Sequence, residues 1–148
     1  MASVSVGQEA PDFTLKDENN KEMTLSALRG QPVVLVFYAL DFSPTCTGEM
    51  CQIRDDYSAF LDRGALVFGI SRDSTWTHKA FKEKEQFRHS LLADMKGDVA
   101  RRYGAWNEAA GLAERLTVVV DRAGIIRFVQ HNGLGEPRDQ KLAIAALA

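Results

Sequence analysis

The 148-residue chain has few of the residues that build metal sites or cross-linked scaffolds. It contains two cysteines and three histidines, His78, His89 and His131. Two cysteines are too few for a disulfide-rich scaffold. A structural zinc site takes four closely spaced ligands, and the three histidines are scattered along the chain. The sequence therefore predicts neither kind of site.

The chain also lacks an excess of charge of one sign and any long apolar run. It has 18 basic and 20 acidic residues, which gives no electrostatic reason to expect nucleic acid or an anionic membrane as partner. The longest apolar run, Val33–Leu40, is too short to span a bilayer. The N-terminus shows no secretory signal pattern, so we expect a cytoplasmic protein. There a permanent disulfide is improbable, and two nearby cysteines suggest redox or metal chemistry.

Strand and helix patterns alternate along the sequence. A polar turn divides DFTL from EMTL, which predicts an N-terminal β-hairpin. Strands are predicted at Val33–Leu40 and Ala65–Ser71, and helices at Pro44–Leu61 and Ser74–Phe87. LTVVVD and GIIRFVQ predict a hairpin, and EPRDQKLAIAALA a last helix. We therefore expect one domain, residues 1–148, with a thioredoxin-like α/β fold: a central mixed sheet with helices on both faces.

The first cysteine is expected near the start of a helix. With Ser43 as N-cap and Pro44 at the first helical position, Cys46 is the third helical residue. Free backbone N–H groups and the helix dipole there favour thiolate over thiol. Helical spacing puts Cys46 on an inward face that it shares with Met50, Ile53, Tyr57, Phe60 and Leu61.

The second cysteine, Cys51, is about 140° further around the same helix. Ideal geometry separates the two Cα atoms by about 8.7 Å, whereas a disulfide needs less than about 7 Å. The cysteines can bond only if the first helical turns unwind. Helix geometry alone leaves two interpretations open. Cys46 is either a reactive thiol or a small buried residue, with Cys51 incidental in the second case.

Several motifs together resemble the peroxiredoxin family. Ser43 and Cys46 match the family signature, and Tyr38 and Asp41-Phe42 stand where the family has them. GQEAPDFTL, GISRDS, YGAWNE and VVDRAGIIRF also resemble it, and the similarity covers almost the whole chain. Some motifs resemble AhpE-type members, and the cysteine spacing resembles the bacterioferritin-comigratory, PrxQ-like class. The resemblance implies a thiol peroxidase that reduces hydrogen peroxide and organic hydroperoxides through a Cys46 sulfenic acid.

The resemblance also assigns roles. Arg115 and Ser43 would donate hydrogen bonds to the sulfur or the peroxide, and Glu49 would orient Arg115. Ser43 would also use its hydroxyl oxygen to cap the helix. Cys51 would resolve the sulfenic acid as a disulfide, which a thioredoxin- or glutaredoxin-like partner reduces. Alternatively, an external thiol recycles a one-cysteine enzyme. No metal or organic cofactor is needed, and a monomer or homodimer is expected.

One position departs from the family pattern. Ala39 stands where the signature has proline, and alanine restores an N–H group and backbone freedom. We expect a looser pocket and slower peroxide reduction. Two other classes stay open, a general thiol–disulfide oxidoreductase and a redox sensor that captures partners when oxidised. The thioredoxin CxxC motif is absent, which argues against the first of these.

Overall fold

A computed structural model describes residues 4–132, 138 and 140–147. The strands are β1 (Thr14–Asp17), β2 (Glu22–Thr24), β3 (Val33–Phe37), β4 (Leu66–Ser71), β5 (Ser90–Ala93), β6 (Trp106–Asn107), β7 (Leu112–Ala113), β8 (Arg115–Val120) and β9 (Ile126–Asn132). The α-helices are α1 (Pro44–Asp55), α2 (Tyr57–Leu61), α3 (Thr75–Glu85), α4 (Asp98–Arg102) and α5 (Gln140–Ala145). Across the described residues, no helix is both long and apolar enough to cross a membrane.

A mixed sheet organises these elements, as predicted. Its strand order is β2-β1-β5-β4-β3-β8-β9. The neighbours β3, β4 and β5 run parallel, whereas β8 pairs antiparallel with β3 and with β9. The carboxyl ends of the three parallel strands meet at one edge, where open α/β sheets place their sites.

The central strand β3 is buried on both faces. Val34 and Val36 pack into the core that contains α1 and α2, and Leu35 and Phe37 into the core on the opposite face. All five residues of β3 are at most 2% exposed. Successive side chains of a strand alternate between faces, so an unbroken apolar run suits a strand with helices on both sides.

The predicted helix Pro44–Leu61 is wrong in one respect, because it is divided. Asp56 leaves helical geometry, with φ −95° and ψ 8°, between α1 and α2. Aspartate competes with the backbone for hydrogen bonds and is a weak residue for a helix interior. The break turns the second segment, so Leu61 is 42% exposed although Phe60 is fully buried. The inward face predicted through Leu61 therefore ends one residue earlier.

Other elements agree with the predictions in part. β1 and β2 form the N-terminal hairpin, and the Ser74 hydroxyl caps α3 by accepting from the Thr77 N–H. The predicted start of the last helix, at Glu136, lies outside the described residues. The short β6–β7 hairpin was not predicted, since two-residue strands carry no recognisable period.

His89 is a buried histidine that packs among aromatic rings. It stacks on Phe87, with ring centroids 5.1 Å apart, and lies 6.5 Å from the ring of Tyr57. Within the described part of the chain, neither ring nitrogen has a hydrogen-bond partner. Burial, helped by the charge of Lys82, lowers the pKa of His89 from 6.5 to about 3. The folded protein therefore holds this ring neutral.

We predict that His89 makes the fold sensitive to acid. Between pH 6.5 and about 3 the unfolded chain binds a proton here that the folded chain excludes. His89 therefore does not lower the free energy of unfolding above pH 6.5. Below that pH, the free energy of unfolding falls by up to about 1.4 kcal/mol per pH unit. Urea unfolding from pH 8 to pH 4 should show a shallower loss for His89→Leu. Equal slopes for His89→Leu and wild type would contradict the prediction.

Candidate active site

The loop after β3 leads directly into the helix that carries Cys46. Ser43 has extended backbone geometry, with φ −67° and ψ 144°, and Pro44 opens α1. The Thr47 N–H donates the first helical hydrogen bond, to the Ser43 carbonyl, at 2.8 Å. Cys46 is therefore the third helical residue, in the register predicted. The N–H groups of a first turn have no partner within the helix, so they are available beside the sulfur.

Arg115 places a cation beside the Cys46 sulfur. Its Nη2 lies 3.7 Å from Sγ, and Cys46 is 2% exposed. Sheet register explains this placement. Leu116 pairs with Phe37, so Arg115 lies just beyond the carboxyl end of β3. There the loop of residues 38–43, the reactive loop, leads from β3 to α1. A buried guanidinium at this distance stabilises the negative charge of a thiolate.

Glu49 lies between two buried arginines. Its Oε1 is 3.3 Å from Arg115 Nη2, and its Oε2 is 3.0 Å from Arg138 Nε. The three side chains are at most 4% exposed. With two guanidiniums and one carboxylate, these three side chains together are net positive. A net positive group therefore lies next to the Cys46 sulfur, and its charge attracts anions.

Sequence reasoning missed Arg138. Its backbone N–H donates to Glu49 Oε2, and its guanidinium donates to the carbonyls of Phe37 and Leu116 and to the Thr117 hydroxyl. Burial lowers the pKa of Arg138, and Glu49 opposes that effect. No local signal marks this arginine, which lies in a polar stretch before the last helix. The side chain ties the end of β3 to the start of β8.

Ser43 does not make the contacts predicted for it. Its hydroxyl donates to the Leu40 carbonyl at 2.9 Å, and it caps none of the N–H groups of α1. The predicted side-chain cap is therefore wrong. A hydroxyl has a single hydrogen, and the Leu40 carbonyl accepts it here, so Ser43 does not donate to the Cys46 sulfur. Ala39 is half-buried and packs against the core that includes Cys46.

Cys51 has surroundings of the opposite charge. It is half-buried, and its thiol donates to Glu85 Oε1 at 3.6 Å. Arg54, on the same helix, donates to the Glu85 carbonyl at 2.7 Å. Burial raises the pKa of the Cys51 thiol; Arg54 opposes the rise, and the Glu85 carboxylate adds to it. Both cysteines are free thiols, so α1 holds one beside a cation and the other beside an anion.

The sequence pattern of the AhpC/TSA family matches residues 6–129. The chain belongs to this family. The alkyl hydroperoxide reductase E of Mycobacterium tuberculosis H37Rv is 44% identical over 148 residues, which cover 98% of this AhpC/TSA chain and 97% of the relative. The chloroplastic peroxiredoxin Q of Suaeda salsa is 43% identical over 133 residues, which cover 89% of this chain and 62% of the relative.

A solved structure agrees with the family assignment. The reduced 2-Cys peroxiredoxin of Plasmodium vivax superposes with a TM-score of 0.89 at 28% identity, covering 96% of this chain and 79% of that one. The predicted resemblance to peroxiredoxins and the predicted thioredoxin-like fold are confirmed. In this AhpC/TSA chain, Cys46, Glu49 and Arg115 lie together. Cys51 lies apart from them, beside Glu85.

We predict that Glu49→Gln strongly destabilises the fold. The glutamine leaves Arg115 and Arg138 buried without their shared counter-charge, which costs about 3 to 5 kcal/mol in comparable buried pairs. Urea unfolding at neutral pH measures the change in the free energy of unfolding. The control is Glu9→Gln at an exposed pair with Arg29, which should unfold almost like wild type. A Glu49→Gln variant as stable as this control would show that the charge is dispensable.

Proposed function

We propose that this chain is a thiol-dependent peroxidase that reduces hydrogen peroxide and organic hydroperoxides through a Cys46 sulfenic acid. One observation carries the proposal: the buried Cys46 sulfur lies 3.7 Å from the Arg115 guanidinium, which Glu49 holds in place. Family membership supports it, as do relatives named alkyl hydroperoxide reductase E and peroxiredoxin Q.

The reaction begins with attack of the Cys46 thiolate on one peroxide oxygen. A sulfur–oxygen bond forms, the oxygen–oxygen bond breaks, and the second oxygen takes a proton and leaves as water or an alcohol. Cys46 is oxidised by two electrons and the peroxide is reduced by two. Charge develops on both oxygens in the transition state, and donors aimed at them accelerate the step. Arg115 and the first-turn N–H groups of α1 are the donors at this position.

The remaining site residues position the reacting groups or shape the loop around them. Glu49 holds the Arg115 guanidinium beside the sulfur. Ser43 can donate to the sulfur or the peroxide only after its hydroxyl turns away from the Leu40 carbonyl. Ala39 lacks the ring of a proline and leaves the loop backbone freer, which favours a slower reaction.

Cys51 completes the proposed cycle. Its sulfur displaces the hydroxyl of the Cys46 sulfenic acid, so a disulfide forms and water leaves. Both cysteines belong to α1, which must therefore unwind first. Two features make its first turns easy to open, the missing Ser43 cap and an interior glycine, Gly48. A thioredoxin- or glutaredoxin-like protein of the cytoplasm would then reduce the disulfide of a monomer or homodimer.

The second candidate is a one-cysteine cycle in which an external thiol reduces the sulfenic acid. The contacts of Glu85 with Cys51 and Arg54 favour this one-cysteine cycle, because they hold α1 in its folded form. One equivalent of hydrogen peroxide followed by intact mass separates the two cycles. With Cys51 as resolving residue, wild type loses about 2 Da and Cys51→Ser gains about 16 Da.

The same experiment tests the peroxidase itself. Cys46→Ser should keep its mass and consume no peroxide, since it lacks the attacking sulfur. A wild-type product that stays at sulfenic acid removes Cys51 from the cycle but leaves the peroxidase standing. A wild-type protein that consumes no peroxide contradicts the proposed function.

We predict that Glu85→Gln speeds disulfide formation several-fold without changing the peroxide step. The charge of Glu85 stabilises the protonated Cys51 thiol while α1 is folded. That stabilisation is lost as the pH rises through the pKa of the thiol. The second phase of a stopped-flow trace should therefore depend less on pH in Glu85→Gln than in wild type. Glu83→Gln, exposed on the same helix, is the matched control. A slower second phase would indicate instead that Glu85 accepts the Cys51 proton.

A further inference from the structure

A buried network connects the reactive loop to α3. Asp41, in this loop, accepts a hydrogen bond from the Tyr38 hydroxyl at Oδ1, at 2.5 Å. Its Oδ2 lies 2.6 Å from Nδ1 of His78, on α3. The other ring nitrogen of His78, Nε2, lies 2.9 Å from the Leu92 carbonyl. The side chains of Asp41 and His78 are 0% exposed, so no water competes for these contacts.

The donors and acceptors require a hydrogen between His78 and Asp41. The Leu92 carbonyl only accepts, so Nε2 carries a hydrogen and donates it. The 2.6 Å contact between Nδ1 and Oδ2 therefore needs one further hydrogen, on either atom. Burial and the neighbouring Asp41 raise the pKa of Tyr38, so its hydroxyl keeps the hydrogen that it donates.

A second contact holds the backbone of the same loop residue. The Asp41 N–H donates to Oδ2 of Asp73 at 2.8 Å, and the Ser71 hydroxyl donates to the same oxygen at 2.6 Å. The next residue, Phe42, has a φ of 68°, in the left-handed region that costs a non-glycine residue about 1 kcal/mol or more. The chain turns sharply here and enters α1 within two residues. The contacts of the Asp41 backbone and side chain, just before this turn, offset its strain.

Among the described residues, one group of three side chains from this network could hold a metal ion. Possible ligand atoms of Asp41, Asp73 and His78 lie within 4.8 Å of one another. However, hydrogen bonds already occupy the atoms that would face an ion, including Nδ1 of His78. The network is complete with hydrogens alone, which favours a mechanical role.

We propose that His78 is a positioning residue that holds Asp41, and through it the reactive loop, so that the Cys46 sulfur stays within reach of Arg115. Loss of this contact would let Phe42 relax and shift the start of α1. A displacement of about 1 Å at a reacting atom can cost about a hundredfold in rate. The peroxide rates that test this proposal rest on the proposed function. The absorbance of the Cys46 thiolate does not, because it can be measured without turnover.

Two substitutions at Asp41 separate hydrogen bonding from charge. The side-chain amide introduced by Asp41→Asn can still accept from Tyr38 and can donate to Nδ1 of a neutral His78, whose Nε2 continues to donate to Leu92. We expect this variant to stay within about threefold of the wild-type peroxide rate. Asp41→Ala and His78→Leu lose the contact, and we expect each to slow the reaction at least about tenfold.

The ultraviolet absorbance of the Cys46 thiolate at neutral pH, in a Cys51→Ser background, is the readout that a merely stabilising role would not change. It should fall in Asp41→Ala and stay unchanged in Asp41→Asn. The control is Asp94→Ala, which removes a buried carboxylate that holds the N–H groups of Val99 and Ala100 in α4. It should lower stability and leave the thiolate signal intact.

The outcomes are distinct. A folded Asp41→Ala with wild-type thiolate signal and peroxide rate overturns the proposal, as does an Asp41→Asn that loses as much as Asp41→Ala. The double variant Asp41→Ala/His78→Leu should be no slower than the worse single variant, and multiplying losses would show independent actions. If the variants that lose the contact do not fold, Tyr38→Phe decides. A larger loss of peroxide rate in Tyr38→Phe than in Asp41→Asn supports the proposal, and a loss that is no larger overturns it.

Discussion

The active-site region depends on one carboxylate, that of Glu49, held between two buried guanidiniums. Removing two arginines from water costs several kcal/mol for each ion, and a nearby anion with good geometry must offset that cost. Glu49 belongs to α1, Arg115 begins β8, and Arg138 lies just before α5 and also binds the end of β3. This ion cluster thus joins the helix that carries Cys46 to the two central strands. It also fixes the Arg115 guanidinium beside the sulfur.

The two cysteines share one helix but not one electrostatic environment. Cys46 lies beside Arg115 at the start of α1, and Cys51 lies beside Glu85 from α3. A cation favours thiolate and an anion favours thiol, so the folded helix keeps one sulfur beside a stabilising charge and the other beside an opposing one. Unwinding would bring the second sulfur both within reach of the first and away from Glu85. In the proposed two-cysteine cycle, local helix stability would then control when the disulfide forms.

Much of the fold could be predicted because its signals are local. The apolar run of β3 and the Ser-Pro pair before α1 correctly predicted a doubly buried strand and the helical position of Cys46. The errors arose where a local preference had competitors. Asp56 interrupted a helix that the apolar pattern continued, and the Ser43 hydroxyl donated its hydrogen to the Leu40 carbonyl instead of the Cys46 sulfur. Arg115 and Glu49 came from family resemblance, whereas nothing local distinguished Arg138.

The sequence by itself determined the alternation of strands and helices, the burial of β3 on both faces and the place of Cys46 in the first turn of α1. These follow from steric and hydrogen-bonding preferences that act over a few residues. Only the tertiary structure decided the partners of the charged groups, because those contacts join distant positions. Arg138 is 89 residues from Glu49, His78 is 37 from Asp41, and Glu85 is 34 from Cys51. Sheet register and helix packing bring each of these pairs together. A local pattern of residues predicts neither the register nor the packing.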